Sequence, residues 1–182
     1  TLYYYHWLRA RGIRTMLWSD MFLYNDLGLD ACNAPSAEEA RRRRDRLPKD
    51  VVITDWHYEQ HDPARFRSLK LFMDEGFEAI GASWFRPPNI ATLAEGCAHF
   101  GARGFLKTTW AGYNFQIDKN PDAWVQYGNN ILAGQYAWTG VATPAEELPF
   151  NFRETFQDLW FNRKPVMKNQ PGARVDLRAA CN

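Results

Sequence analysis

Four short apolar runs of the sequence each end at a tryptophan, and several of these tryptophans stand beside acidic or hydroxyl-bearing residues. The candidate site residues are Trp18, Asp20, Asp55, Trp56, Tyr58, Trp84 and Trp110. Aromatic rings offer flat apolar faces on which the C–H face of a sugar ring can stack, and carboxylates accept hydrogen bonds from sugar hydroxyls. The combination predicts a pocket that binds a sugar, although core packing is the alternative for any single ring.

Asp20 and Asp55 are also the candidates for acid–base chemistry, because each stands at the end of an apolar run. Glycoside hydrolysis usually needs two carboxylates, roughly 5 to 9 Å apart, on either side of the bond that breaks. The sequence does not give the distance between these two aspartates. Each could equally cap a helix or fix a loop, so three roles stay open: loop fixing, contact with a sugar hydroxyl, and hydrolysis.

His57 follows the second apolar run, and we expect it to form a hydrogen bond within the rim of the pocket. A metal role is not favoured, since His61 is the only histidine at ligand spacing and it falls in a predicted loop. We expect neither a metal nor a cofactor.

Helical sequence separates the apolar runs, which predicts four βα units. The predicted strands are 13–19, 51–56, 77–83 and 103–110. The predicted helices are 2–11, 36–46, 63–75, 90–100, 121–138 and 144–161. Ser36, Asp62 and Asn120 are predicted to cap helices, Gly76 and Gly101 to end them, and 86–89 to form an open loop. The strands start roughly 25 to 37 residues apart, the length of a βα unit.

In a (β/α)8 barrel, the active face lies at the carboxyl ends of the strands, which is where the tryptophans fall. The predicted fold is therefore a partial barrel of about four parallel βα units with a C-terminal helix. An open doubly wound sheet is the alternative within the same class, and no glycine-rich phosphate loop follows the first strand.

The chain has 182 residues, fewer than the roughly 250 of a complete barrel. We expect residues 1–164 to be the C-terminal half of a glycosidase-like barrel. Residues 165–182 are expected to be a linker and the start of a following segment, with a strand at 173–177.

The charges nearly cancel, with 22 basic and 21 acidic residues and a formal net charge of +1. This balance argues against nucleic acid or a membrane as the main partner. The arginines at 41–44 and 46 follow two glutamates and predict a solvated helix face. The three cysteines show no metal-like spacing and fix neither a disulfide framework nor a compartment.

With these residues in view, the chain resembles the C-terminal half of the catalytic barrel of family 20 glycoside hydrolases, the β-N-acetylhexosaminidases. The closest likeness is to the hexosaminidase D-like branch. The matching stretches are MLWSDMF at 16–22, LPKDVVI at 47–53 leading to Trp56, GFE at 76–78 leading to Ser83 and Trp84, and 104–110. They would correspond to strands five to eight of that barrel, over roughly residues 1–140.

The resemblance implies substrate-assisted hydrolysis. The acetamido oxygen of the substrate attacks the anomeric carbon, a glutamate protonates the leaving oxygen, and a neighbouring aspartate orients the acetamido group. Trp18, Trp56 and Trp110 would wall the acetamide pocket. The acid pair would lie upstream of Thr1, so the resemblance assigns no catalytic residue to this chain.

The chain departs from the family pattern in three ways. No Asp–Glu pair of this chain fits the catalytic role, since Asp74 and Glu75 fall at a predicted helix end. Trp84 and Phe85 stand where the family commonly has a tyrosine that holds the acetamide oxygen, and Tyr58 or Ser83 could substitute. The acid that many members place two residues after the last tryptophan is missing, because Gly112 occupies that position.

We therefore expect part of a glycoside hydrolase that removes terminal N-acetylhexosamine from a glycan, with this segment supplying aromatic pocket walls. The rest of the parent chain is the expected partner, and the segment alone is expected to be inactive. The alternatives are a non-catalytic carbohydrate-binding barrel module, and a barrel glycosidase of another family that uses Asp20 and Asp55.

Overall fold

The computed structural model of the chain describes residues 2–25, 32–110, 121–162, 166–167 and 174–175. The helices are α1 (Leu2–Arg9), α2 (Ala37–Asp45), α3 (Arg67–Asp74), α4 (Pro87–Phe100), α5 (Pro121–Thr139) and α6 (Phe152–Gln157). The strands are β1 (Met16–Trp18), β2 (Val52–Trp56), β3 (Glu78–Ser83), β4 (Gly104–Lys107), β5 (Val166–Met167) and β6 (Arg174–Val175). In the described ranges, no helix combines the length and the apolar composition that crossing a bilayer requires.

The first four strands form one sheet in the order β1-β2-β3-β4, and every neighbouring pair is parallel. One helix lies between each strand and the next: α2, then α3, then α4. The chain is therefore an α/β protein with a four-stranded parallel sheet that alternates with helices, which confirms the class predicted from the spacing of the apolar runs.

The helices cover one face of this sheet. Ile53 of β2 and Leu69 and Phe72 of α3 are buried in one apolar cluster, against which Leu17 of β1 packs. A second cluster joins α4 to α5 and α6. The sheet thus has a helix-covered face with an apolar core, and an opposite face that we call the inner face.

Local sequence signals place several helix ends. The Ser36 hydroxyl accepts a hydrogen bond from the Glu39 N–H at 3.1 Å and caps α2, as predicted. Gly76 and Gly101 follow α3 and α4 with φ angles of 85° and 71°. Glycine adopts this left-handed conformation without steric cost, which is why both helices stop there.

Other predicted boundaries are wrong. The predicted open loop at 86–89 is instead the start of α4, because Pro87 and Pro88 occupy the first turn, where a helix needs no N–H donor. Asp62 does cap, through a 3.0 Å bond from the Ala64 N–H, but it caps a 3₁₀ turn, Pro63–Arg65, that precedes α3.

The predicted helix at 144–161 is divided into three elements. They are a 3₁₀ turn (Ala145–Glu147), α6 and a π-helical turn (Asp158–Asn162). The predicted first and fourth strands are also shorter than expected, since β1 and β4 cover only 16–18 and 104–107.

The arginine cluster is not uniformly solvated. Arg44 is buried: its Nε bonds both carboxylate oxygens of Glu75 at 2.9 and 3.0 Å, and its Nη1 donates to the Phe22 carbonyl. Arg41 and Arg42 are exposed, whereas Arg43 is partly buried and donates to the Met21 carbonyl at 2.9 Å. Glu39 pairs with both Arg42 and Arg43.

In the segment that the sequence predicts as a linker, β5 pairs antiparallel with β6. The strand predicted at 173–177 is thus observed at Arg174–Val175, and part of the predicted linker is its partner strand.

Candidate functional site

The carboxyl ends of the sheet strands surround a cavity of about 420 Å³. Its lining residues are Trp18, Asp20, Trp56, Tyr58, Trp84 and Trp110. Six of the seven residues singled out in the sequence are therefore brought together, and the four tryptophans open onto one common space. We refer to this space as the tryptophan cavity.

Strand alternation explains why these side chains converge. Trp18 lies in register with Thr54, and Trp56 lies in register with Ala82. Side chains of successive strand residues point to opposite faces, and registered partners of parallel strands share a face. Leu17 and Ile53 pack in the core on the helix-covered face. Trp18 follows Leu17 by one residue and Trp56 follows Ile53 by three, so both tryptophans point to the inner face.

The aromatic rings form a continuous lining. Ring centroids are 4.7 Å apart for Trp56 and Tyr58, 5.6 Å for Tyr58 and Trp84, and 6.0 Å for Trp18 and Trp110. These separations fall in the range of favourable aromatic pairs. Trp18 and Trp110 remain 40% and 53% exposed, so ring surface is open to a ligand.

Hydrogen bonds hold the polar edges of the rings. The Trp110 indole N–H donates to the Tyr58 hydroxyl at 2.8 Å. The Thr108 hydroxyl, which donates to the Ser83 carbonyl at 2.8 Å, is 3.4 Å from the same Tyr58 oxygen. Of the two substitutes expected for the missing tyrosine, Tyr58 lines the cavity, whereas Ser83 is fully buried.

Asp20 is the one carboxylate among the six lining residues of the tryptophan cavity. Its Oδ1 accepts from the Trp56 indole N–H at 3.3 Å, and its Oδ2 accepts from the Asn33 amide at 2.6 Å. The Asn33 backbone N–H also donates to the Asp20 carbonyl at 2.7 Å. Asp20 thus fixes a loop and at the same time presents an acceptor at the cavity wall.

The structure places Asp55 on the other face of the sheet, so its expected contact with a sugar is wrong. Asp55 is 0% exposed, and its Oδ2 accepts from the Ser68 hydroxyl of α3 at 2.5 Å. As the neighbour of Trp56 in β2, Asp55 must point toward the helices when Trp56 points into the cavity. Asp20 and Asp55 therefore do not flank one ligand.

His57 belongs to the same buried group rather than to the rim. Its Nε2 lies 2.8 Å from the Ser68 hydroxyl and 3.2 Å from Asp55 Oδ2, and the ring is almost completely buried. The predicted hydrogen bond of His57 within the rim is wrong, because His57 is two residues from Asp55 and its side chain therefore points to the same helix-covered face. The three side chains join β2 to α3 behind the cavity.

The sequence did not single out Gln126, which contacts two cavity walls from α5. Its side-chain oxygen accepts from the Trp84 indole N–H at 2.9 Å and from the Trp110 backbone N–H at 3.1 Å. Its backbone carbonyl accepts from the ammonium of Lys107, and burial lowers the pKa of Lys107 to about 8. No local sequence motif marks such a contact, since it joins residues far apart in the chain.

Within the part of the chain that the structure describes, no group of three or more histidine, cysteine or acidic side chains has the arrangement that holds a metal ion. Gly112, whose position bears on the missing acid, lies outside the described residues, as does Asn120, the predicted cap of α5. Comparison of the sequence with protein-family models gives no match, and comparison with curated proteins gives none either.

Proposed function

We propose that the tryptophan cavity binds a terminal N-acetylhexosamine, and that this chain supplies the aromatic walls of a barrel glycoside hydrolase. The observation that carries the proposal is the convergence of four tryptophans, one tyrosine and one carboxylate around a single cavity. Its volume of about 420 Å³ falls in the range of small-molecule sites, roughly 300 to 1,000 Å³.

The chemistry of the lining suits a sugar. The exposed faces of Trp18 and Trp110 offer apolar surface to the C–H face of a pyranose ring. Asp20 offers carboxylate oxygens to hydroxyl donors, and such charge-assisted hydrogen bonds are the stronger kind. Together they would hold a ring by stacking and orient it by hydrogen bonds.

The parallel order β1-β2-β3-β4 supports the assignment of these strands to positions five to eight of a barrel. The remaining strands, and the Asp–Glu pair of substrate-assisted hydrolysis, belong in this proposal to the rest of the parent chain. The described residues place one carboxylate at the cavity, whereas hydrolysis usually needs two. Their role in this proposal is therefore to bind and orient the sugar.

That single carboxylate also favours a second candidate, a carbohydrate-binding barrel module without hydrolase activity. The hypothesis that Asp20 and Asp55 form a catalytic pair has no support, since Asp55 is buried on the helix side of the sheet. Turnover of a nitrophenyl N-acetylglucosaminide by the full-length protein separates hydrolase from binding module.

The test of the site is Trp110→Ala in the full-length protein. Loss of the ring should lower kcat/KM for the nitrophenyl substrate about tenfold or more, near 1.4 kcal/mol. The matched control is Trp138→Ala, because Trp138 of α5 is 92% exposed and does not line the cavity. Equal kcat/KM in both variants and in the wild type would refute the site.

If the protein binds N-acetylglucosamine without turnover, the same two variants are compared by calorimetric titration. Weaker binding for Trp110→Ala alone supports the module. A wild-type protein that neither hydrolyses nor binds the sugar would exclude both candidate functions.

A further inference from the structure

Gln126 connects α5 to two walls of the tryptophan cavity without lining it. The Gln126 side-chain oxygen, Oε1, accepts from the Trp84 indole N–H at 2.9 Å and from the Trp110 backbone N–H at 3.1 Å. A carbonyl oxygen has two lone pairs, so this atom can hold both donors at once. A single atom therefore holds both donors.

The helix itself is fixed at the same residue. The Lys107 ammonium donates to the Gln126 backbone carbonyl and also, at 2.9 Å, to the Thr109 hydroxyl. Lys107 is the last residue of β4, and Thr109 precedes the Trp110 wall. Because α5 is tied to the end of β4 in this way, the Gln126 side chain starts from a defined position.

Contacts around the cavity close into a ring. The ring centroids of Tyr58 and Trp84 are 5.6 Å apart, and the Tyr58 hydroxyl accepts from the Trp110 indole N–H at 2.8 Å. Gln126 joins the same two tryptophans from α5. Two independent links thus determine how far apart the Trp84 and Trp110 walls lie.

We propose that Gln126 is a positioning residue that sets the separation of the Trp84 and Trp110 walls and, through it, the affinity of the tryptophan cavity for its ligand. The ligand, an N-acetylhexosamine, rests on the proposed function. The positioning of the walls does not depend on that function, so the two can fail separately.

The first measurement uses no sugar. The protein is labelled with 5-fluorotryptophan, and the fluorine resonances are assigned by single tryptophan-to-phenylalanine substitutions. Gln126→Leu removes the shared acceptor and should shift the resonances of Trp84 and Trp110, while that of Trp138 stays in place. Gln126→Glu keeps an acceptor oxygen and should leave the two resonances close to their wild-type positions.

Gln135→Leu is the matched control, because Gln135 lies on the same helix and is not among the residues that line the tryptophan cavity. It should move neither wall resonance. Gln126→Asn shortens the side chain by one methylene group and so moves the acceptor oxygen away from both donors. This variant replaces Gln126→Leu if far-UV circular dichroism shows that the leucine variant is unfolded. Wall resonances that stay unchanged in folded Gln126→Leu or Gln126→Asn protein would overturn the inference.

The second measurement is a titration with N-acetylglucosamine. Loss of hydrogen bonds that hold the walls should weaken binding about three- to tenfold in Gln126→Leu, and Gln126→Glu should restore it. Shifted wall resonances in a protein whose wild type binds no N-acetylglucosamine would support the positioning role and reject the proposed function. If the wild-type protein binds N-acetylglucosamine but the wall resonances of the variants do not shift, the proposed function is supported and the positioning role of Gln126 is rejected.

Discussion

Consecutive residues of β2 have different roles, because strand side chains alternate between faces. Trp56 reaches the tryptophan cavity, whereas Asp55 is buried beside Ser68 on the helix side. The sequence was sufficient to locate the end of the strand and its aromatic residues. The prediction that Asp55, Trp56 and His57 share one rim fails because the period of two separates Trp56 from the other two.

Gln126 is a residue whose role could not be predicted from the sequence. Its partners are Trp84 and Trp110, which lie on other elements. Hydrophobic periodicity predicts which helix face is buried, but it does not say which polar side chain meets which donor across the fold. Only the three-dimensional arrangement could reveal this contact.

Lys107 gives a prediction about pH and folding stability. Burial lowers the pKa of Lys107 from 10.5 to about 8 in the folded protein. Between these values the unfolded chain binds a proton that the folded chain has lost, so the contribution of Lys107 to stability increases as the pH rises through this interval. The free energy of unfolding of the wild type minus that of Lys107→Met, both measured by urea unfolding, should increase as the pH rises above about 8. A difference that is constant with pH would contradict the burial of this amine.

At the scale of elements, capping signals were the most informative part of the sequence. Ser36 begins α2 and Gly101 ends α4 as predicted. The start of α4 differs from the prediction: two consecutive prolines are typical of a loop, but here they occupy the first turn of the helix, which proline also suits. Element order was therefore predictable, whereas boundaries depended on how each proline was used.

The packing of α4 against the residues before α3 leads to a stability prediction. A Cβ atom at Gly96 would lie 2.7 Å from the buried Phe66 ring, so Gly96→Ala should destabilise the protein by about 1 to 3 kcal/mol through overpacking. At Gly134 of α5 an added Cβ meets no atom within 4 Å, so Gly134→Ala should stabilise by up to about 1 kcal/mol through helix propensity.

Urea unfolding of both alanine variants tests this pair. Similar free energies of unfolding for Gly96→Ala and the wild type would show that Phe66 can move away at little cost.

At the scale of the whole molecule, the sheet is covered by helices on one face and partly open on the other. Met16 and Leu106, both on the inner face, are 51% and 39% exposed. In the described part of the chain, no further strand pairs with the outer edge of β1 or of β4. Parallel sheets are almost always covered on both faces, so this surface is the place where our proposal puts the rest of a barrel.

The open inner face predicts association of the 182-residue chain when it is expressed alone. Leu106→Lys adds a charge to this face, outside the lining of the tryptophan cavity, and should shift the chain toward smaller species. Size-exclusion chromatography with light scattering measures this. Val141→Lys, at an exposed position after α5, is the control and should leave the distribution unchanged. A monodisperse monomer for the unsubstituted chain would contradict the prediction.

In the parallel sheet, the spatial order of β1 to β4 is the same as their order in the chain. During synthesis on the ribosome, each newly emerging strand can therefore dock on the edge left by the one before it. Among the described strands of this sheet, none has to be inserted between two that are already paired. The chain can build its sheet from the N-terminal side outward, with every intermediate a shorter version of the final sheet.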